Sequence, residues 1–166
     1  MAESSDLARA VGVGACAELD SAMRKIDHCL RQLDDDQVWA RPAETMNSIA
    51  NLLLHLAGNL RQWIIAGVGG AADVRQRQQE FDDRSQTPTN QLFEQLQTTV
   101  NEALDVMANT SADDLQRVRR VQEFDVTGAH AIFGSVAHFR GHSQEIVHMT
   151  RRLLGEQYEF DFVPKE

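Results

Sequence analysis

The 166-residue sequence predicts an all-α fold, a four-helix bundle. Three observations carry that prediction. Apolar residues recur by threes and fours in four long segments, cap-forming and turn-forming residues separate those segments, and the connection between the second and third is long enough to cross the bundle end to end. Such a crossover lets the third helix run parallel to the second, so the expected order is up-down-down-up. Residues 1–166 read as a single domain, long enough to bury a real core.

In the first helix, Cys16, Leu19, Met23, Ile26, Leu30 and Leu33 form an apolar seam, and Asp34-Asp35-Asp36 is expected to end it. Cys16 and Cys29 both fall on the apolar face and read as buried, reduced thiols. Thirteen helical residues hold them about 20 Å apart, against a limit of about 7 Å for a disulfide. His28 lies off the seam, towards solvent. Residues Val38-Trp39-Ala40-Arg41-Pro42 read as a connector, because proline disfavours helix in the residue before it, with Trp39 covering the bundle end.

Asn47 or Ser48 can cap a second helix bearing Ile49, Leu52, Leu53, Leu56, Leu60, Trp63 and Ile64 on one broad face. His55 projects at the edge of that face, and Asn59, one turn on, reads more as a surface amide than as its partner. Gly67-Val68-Gly69-Gly70 stops the helix. The polar crossover then runs to Pro88, with Phe81 as its expected anchor. Thr89 or Asn90 can cap a third helix with Leu92, Leu96, Val100, Ala103, Leu104 and Met107 inward. Ser111-Ala112-Asp113-Asp114 begins a turn, Leu115 to Val126 reads as extended chain or a small hairpin, and Thr127 caps a last helix that Gly155 stops after Leu154. The tail Tyr158-Glu159-Phe160-Asp161-Phe162 alternates aromatic and acidic residues, as a half-buried extended segment does, and is expected to pack on the bundle beside the 115–126 stretch.

Composition narrows the partners. A formal net charge of −9 argues against nucleic acid, which requires a basic surface; Arg117, Arg119 and Arg120 form one local basic cluster, read as a solvated or salt-bridged face. No apolar run approaches the roughly 18 residues of a membrane helix, and Met1-Ala2-Glu3-Ser4-Ser5-Asp6 lacks the basic region of a signal peptide. A cytoplasmic protein without membrane contact is therefore expected.

The chemistry concentrates in Val136-Ala137-His138-Phe139-Arg140-Gly141-His142-Ser143-Gln144-Glu145-Ile146. On a helix His138 and His142 stand one turn apart on one face, about 6 Å along the axis, so their rings can converge on one ion. Glu145 and Met149 continue that stripe, beside an apolar stripe of Ile132, Val136, Phe139, Ile146 and Leu153. His130 and His148 read as pointing to the opposite, outer face. Phe139, Arg140 and Gly141 stand between the two histidines, where an H-E-x-x-H peptidase carries its general base, so peptidase activity is not expected.

This helix, the run Asn51-Leu52-Leu53-Leu54-His55-Leu56-Ala57-Gly58-Asn59-Leu60-Arg61-Gln62-Trp63, the charged connection from Arg75 to Arg84 and the stretch Gln122 to Thr127 together resemble the DinB/YfiT-like superfamily. In that superfamily a helix with H-x-x-x-H completes a three-histidine site begun on the second helix. The resemblance implies a metal site at His55, His138 and His142. Neutral imidazoles suit zinc, nickel, copper or ferrous iron; zinc or nickel is expected first, with iron as the further option. Three such ligands leave positions open for water or a small thiol, consistent with the metal-dependent S-transferases and thiol-dependent isomerase among the relatives. The expected function is thus a metal-dependent transferase or hydrolase acting on a small molecule, possessed of a low-molecular-weight thiol as candidate co-substrate; the alternative is a non-catalytic metal-binding or ligand-binding bundle. Many relatives carry H-x-G-Q-I where this chain reads His142-Ser143-Gln144-Glu145-Ile146. Glu145 is accordingly a candidate catalytic residue, as an acceptor orienting a ligand imidazole or as a general base, with a plain flank carboxylate as the third reading. Relatives are often dimers, which implies a homodimer here.

Overall fold

The computed structural model describes residues 2–162. Helix α1 (Ala2–Leu30) gives way to a short helix α2 (Asp35–Trp39). Asp34-Asp35-Asp36 therefore opens a helix where an ending was expected: the Asp34 carboxylate accepts from Gln37 N–H at 2.8 Å, while Gln37 Oε1 accepts from Asp34 N–H at 3.0 Å. Trp39 ends α2 rather than sitting in a plain connector. It is buried, and its indole N–H donates to the Thr87 carbonyl at 2.9 Å.

Ser48 caps α3 (Ile49–Leu60), which passes into a π-helical turn (Arg61–Ala66) before the glycines. The crossover holds one helical turn and a half, α4 (Arg77–Asp82), and leads to α5 (Thr89–Ala108). Neither Thr89 nor Asn90 caps α5 with its own side chain. Pro88 occupies the cap position, and the Thr89 N–H is satisfied from outside the helix by Asp35 Oδ1 at 2.9 Å.

Helix α6 (Ala112–Gln116) follows, capped by Ser111, and then a hairpin of β1 (Val118–Val121) and β2 (Phe124–Thr127), paired antiparallel with Val118 opposite Thr127. Its basic cluster is satisfied by the protein. Arg119 donates to the carbonyls of Gly67, Val68 and Asp114, while Arg117 and Arg120 pair with Asp114 and Asp125. Thr127 caps α7 (Gly128–Leu154) by accepting from His130 N–H. Gly155, at φ 56°, ends it in a conformation that favours glycine.

Pairwise contacts give the helix directions. Ala22 O accepts from Ser143 Oγ and Glu18 pairs with Arg140, so α1 and α7 run the same way. Cys16 lies against Leu104 and Gly12 against Met107, so α5 runs opposite to α1. His55 faces His138 while Trp63 shares a recess with His130, so α3 runs opposite to α7. The order is up-down-down-up. Leu19, Ile26, Leu52, Leu56, Leu96, Met107, Ile132, Phe139 and Ile146 fill the space between the helices, each removed from water. Such burial contributes on the order of 1.5–3 kcal/mol per large side chain.

Leu153 departs from the expected stripe and is exposed. With Ser143 opposite Ala22, a residue ten positions on lies level with the end of α1, where little remains to cover it. The tail also packs elsewhere than expected. It lies along the C-terminal half of α1, not beside the hairpin: Tyr158 is buried, Lys25 pairs with Asp161, and the Glu159 carbonyl accepts from His28 Nε2 at 2.6 Å. His28, read as solvent-side, is half-buried and holds that tail. Both thiols are free; Cys29 is buried, whereas Cys16 is half-buried.

Candidate metal centre

Local sequence sets up the centre on two helices. The one-turn spacing on α7 brings the rings of His138 and His142 to 4.6 Å between centroids, and α3 presents His55 to both, at 4.9 and 5.2 Å. One ring nitrogen from each of the three lies within 4.8 Å of the others, a spacing at which they could hold a single ion. His55 is buried, while His138 and His142 are half-buried.

Hydrogen bonds decide which nitrogens face inward. His55 Nδ1–H donates to Glu80 Oε2 at 3.0 Å, and His142 Nδ1–H donates to Glu145 Oε2 at 2.7 Å. Each bond fixes the tautomer that leaves an Nε2 lone pair free, the arrangement found behind metal-ligating imidazoles. His55 Nε2 then faces His138 Nε2 at 3.0 Å. That contact is satisfied either by His138 Nε2–H donating to the His55 Nε2 lone pair or by a cation that both nitrogens ligate. Burial, and after it the neighbouring His142, His55, Arg75 and Arg77, push His138 down to about 4, so near neutrality it is an uncharged ligand-type imidazole. Its buried Nδ1 has no partner among the described residues. The donor set therefore fits a divalent transition metal.

Sequence reasoning missed the acidic side of this arrangement. Glu80, on α4, accepts from Arg75 Nε at 2.7 Å and Arg75 Nη2 at 2.8 Å as well as from His55. Burial would raise the Glu80 pKa, but the hydrogen bonds from Arg75 and His55 outweigh it and hold the carboxyl below its ordinary value. Gly58 makes this approach possible, since a Cβ there would overlap the Glu80 carboxylate. The available signal was Phe81: it anchors the crossover as expected, its ring 4.8 Å from that of His55, and an anchor there carries its neighbour Glu80 to the bundle.

Two other expectations need correction. Asn59 is no surface amide; it is buried and lines a recess beside His55 and His138. His130 is exposed but lines the same recess, because eight residues put it about 80° from His138 around the helix, on the flank and not the opposite face. It stays outside the three-imidazole group, and His148 is exposed. Glu145, at 45% side-chain exposure, stands at the rim and reaches the group through His142.

Solved structures share this fold. Similar ones include a conserved protein from Enterococcus faecalis (17% identity, 85% of this chain and 95% of that one, TM-score 0.70). A DinB-like protein from Bacillus subtilis (16% identity, 90% and 96% covered, TM-score 0.67) and one from Bacillus cereus (11% identity, 82% and 85% covered, TM-score 0.63) are also similar. No curated protein matches the chain. No helix among the described residues is long and apolar enough to cross a membrane. The bundle is thus a DinB-like fold, and because residues 13–166 match the family described as "Protein of unknown function (DUF1572)", the chain belongs to that family.

Proposed function

We propose that this single-domain bundle is a metal-dependent enzyme of the transferase or hydrolase type, with His55, His138 and His142 holding one divalent transition metal, zinc or nickel before iron. The observation that supports it most is the convergence of three imidazoles, two of them with carboxylates behind and two nitrogens facing each other at 3.0 Å. When bound, the ion supplies Lewis acidity to water or to a small thiol, because three neutral ligands leave open positions. Glu80 and Glu145 hold their imidazoles in the ligating tautomer and orientation. Arg75 keeps Glu80 ionised for that task. Glu145, at the solvent rim, is the candidate acid or base on the same helical face as His142.

The test is metal analysis of protein purified without a histidine tag, with each histidine replaced in turn by Ala. His55→Ala, His138→Ala and His142→Ala are expected to lose the ion, while His130→Ala and His148→Ala keep it. Equal retention in His142→Ala and His148→Ala overturns the assignment. Sedimentation of the same preparation reports the accompanying homodimer, which the exposed Leu7 and Val13 on α1 support; a lone species near 18.6 kDa counts against it.

A further inference from the structure

A recess of about 310 Å³ opens beside His138, between α3, α7, the crossover and the hairpin turn. That volume is at the lower end for small-molecule sites. Its lining includes Arg75 and Arg77 but no Asp or Glu, in a chain with 25 acidic and 16 basic residues. The two arginines differ in what they already hold. Arg75 is engaged by Glu80 and Gln62. Arg77 has its guanidinium over the Phe81 ring, 4.8 Å from the centroid, and no carboxylate within ion-pair distance among the described residues. The recess therefore carries one positive charge that the protein does not neutralise.

Its inner wall is polar and unsatisfied. Asn59 and Ser135 are 8% and 3% exposed, and Asn59 Oδ1 and Ser135 Oγ have no hydrogen-bond partner among the described residues. A buried acceptor and hydroxyl left in this state cost about 1–3 kcal/mol each, which a ligand group hydrogen-bonding to them removes. Trp63 adds an aromatic wall. One free guanidinium suits a singly charged, planar oxyanion better than a dianion, because the fork of N–H groups matches a carboxylate and leaves no second charge uncompensated.

We propose that this recess binds a small organic carboxylate, with Arg77 taking the carboxylate and Asn59 and Ser135 hydrogen-bonding the body of the molecule. As the substrate class of the enzyme it rests on the metal reading above; as a binding site it does not, and the test separates the two. The probe is benzoate, titrated into full-length protein as purified and again after chelation, and read from the two tryptophan indole N–H signals in ¹H–¹⁵N spectra. The Trp63 signal is expected to shift saturably while the Trp39 signal, held on Thr87 at the bundle end, stays put. Arg77→Gln, on an exposed residue, is expected to weaken benzoate about tenfold, and Arg77→Lys to fall between it and wild type.

Benzamide, the neutral isostere, is expected not to bind. Benzamide binding as well as benzoate, inorganic phosphate displacing benzoate at equal concentration, or wild-type benzoate affinity in Arg77→Gln each overturn the carboxylate assignment. After chelation, when no ion contributes charge to the recess, His142→Ala is expected to bind benzoate within about twofold of chelated wild type, because His142 is not among the recess residues. Should His142→Ala as purified retain its metal while benzoate still binds, the metal reading fails and the recess assignment stands.

Discussion

Glu145 is the residue whose role the geometry narrows most. Spacing alone put it one turn from His142 on the same face, consistent with an orienting acceptor, a proton carrier or a bystander. The 2.7 Å contact from His142 Nδ1 favours the orienting role, since it fixes the tautomer that frees Nε2. Glu145→Ala is therefore expected to weaken metal binding about tenfold or more, and Glu145→Gln less, because an amide oxygen still accepts the same hydrogen bond. Metal titration checks this. A proton carrier would behave differently: the Gln variant would keep its metal and lose turnover. His138, His142 and Glu145 were legible because i, i+3 and i, i+4 relations on one helix follow from helix geometry. The burial of Asn59 was not, because the hairpin turn and α7 that help enclose its recess belong to other parts of the chain.

At the scale of elements, the crossover is part of the centre. Asn51, buried at the start of α3, donates to the carbonyls of Glu80 and Asp83 at 2.9 and 3.2 Å and accepts from Arg41, which also donates to the Phe81 carbonyl. These bonds pin α4 where Glu80 meets His55. The depressed Glu80 pKa makes its contribution depend on pH. A carboxyl whose folded pKa lies below its unfolded one stabilises the protein fully above the ordinary glutamate value, about 4.3, and loses that contribution as pH falls through the folded value. Glu80→Gln is thus expected to cost about 1–3 kcal/mol at pH 7, with the gap to wild type starting to narrow as pH falls below the ordinary glutamate value of about 4.3. Chemical denaturation at several pH values measures the gap; a constant gap down to pH 3 would remove the ion pair as its cause. The four bundle helices, the hairpin and the Phe81 anchor were legible from period, caps and turn residues. The π turn, the Asp35 cap on α5 and the Asn51 clasp were not, because each is set by partners between 29 and 54 residues away or by packing.

For the molecule as a whole, the proposed ligands come from helices that only folding brings together, with His55 and His138 separated by 83 residues. An ion held by all three binds the native chain and has little purchase on the unfolded one, where loop closure would have to be supplied first. Its binding must therefore raise thermal stability by mass action. At a free metal concentration about 100 times the Kd the gain is about 2.7 kcal/mol, which for a domain of this size corresponds to a rise in Tm of about 5–10 °C. Calorimetry of the chelated protein with added zinc or nickel reads the shift directly. His148→Ala should show it in full and His142→Ala should lose most of it, since removing one of three ligands lowers affinity more than any change to an exposed imidazole at the far end of α7. A Tm indifferent to either ion, in a protein that is folded by circular dichroism, would mean that the three imidazoles are held together by Glu80, Glu145 and the packing of α3 on α7 alone. The 3.0 Å nitrogen contact would then be a hydrogen bond from His138 Nε2–H to His55 Nε2. Because burial holds His138 down at about 4, below its unfolded value, acidification through that range would lower stability, whereas added metal would leave it unchanged.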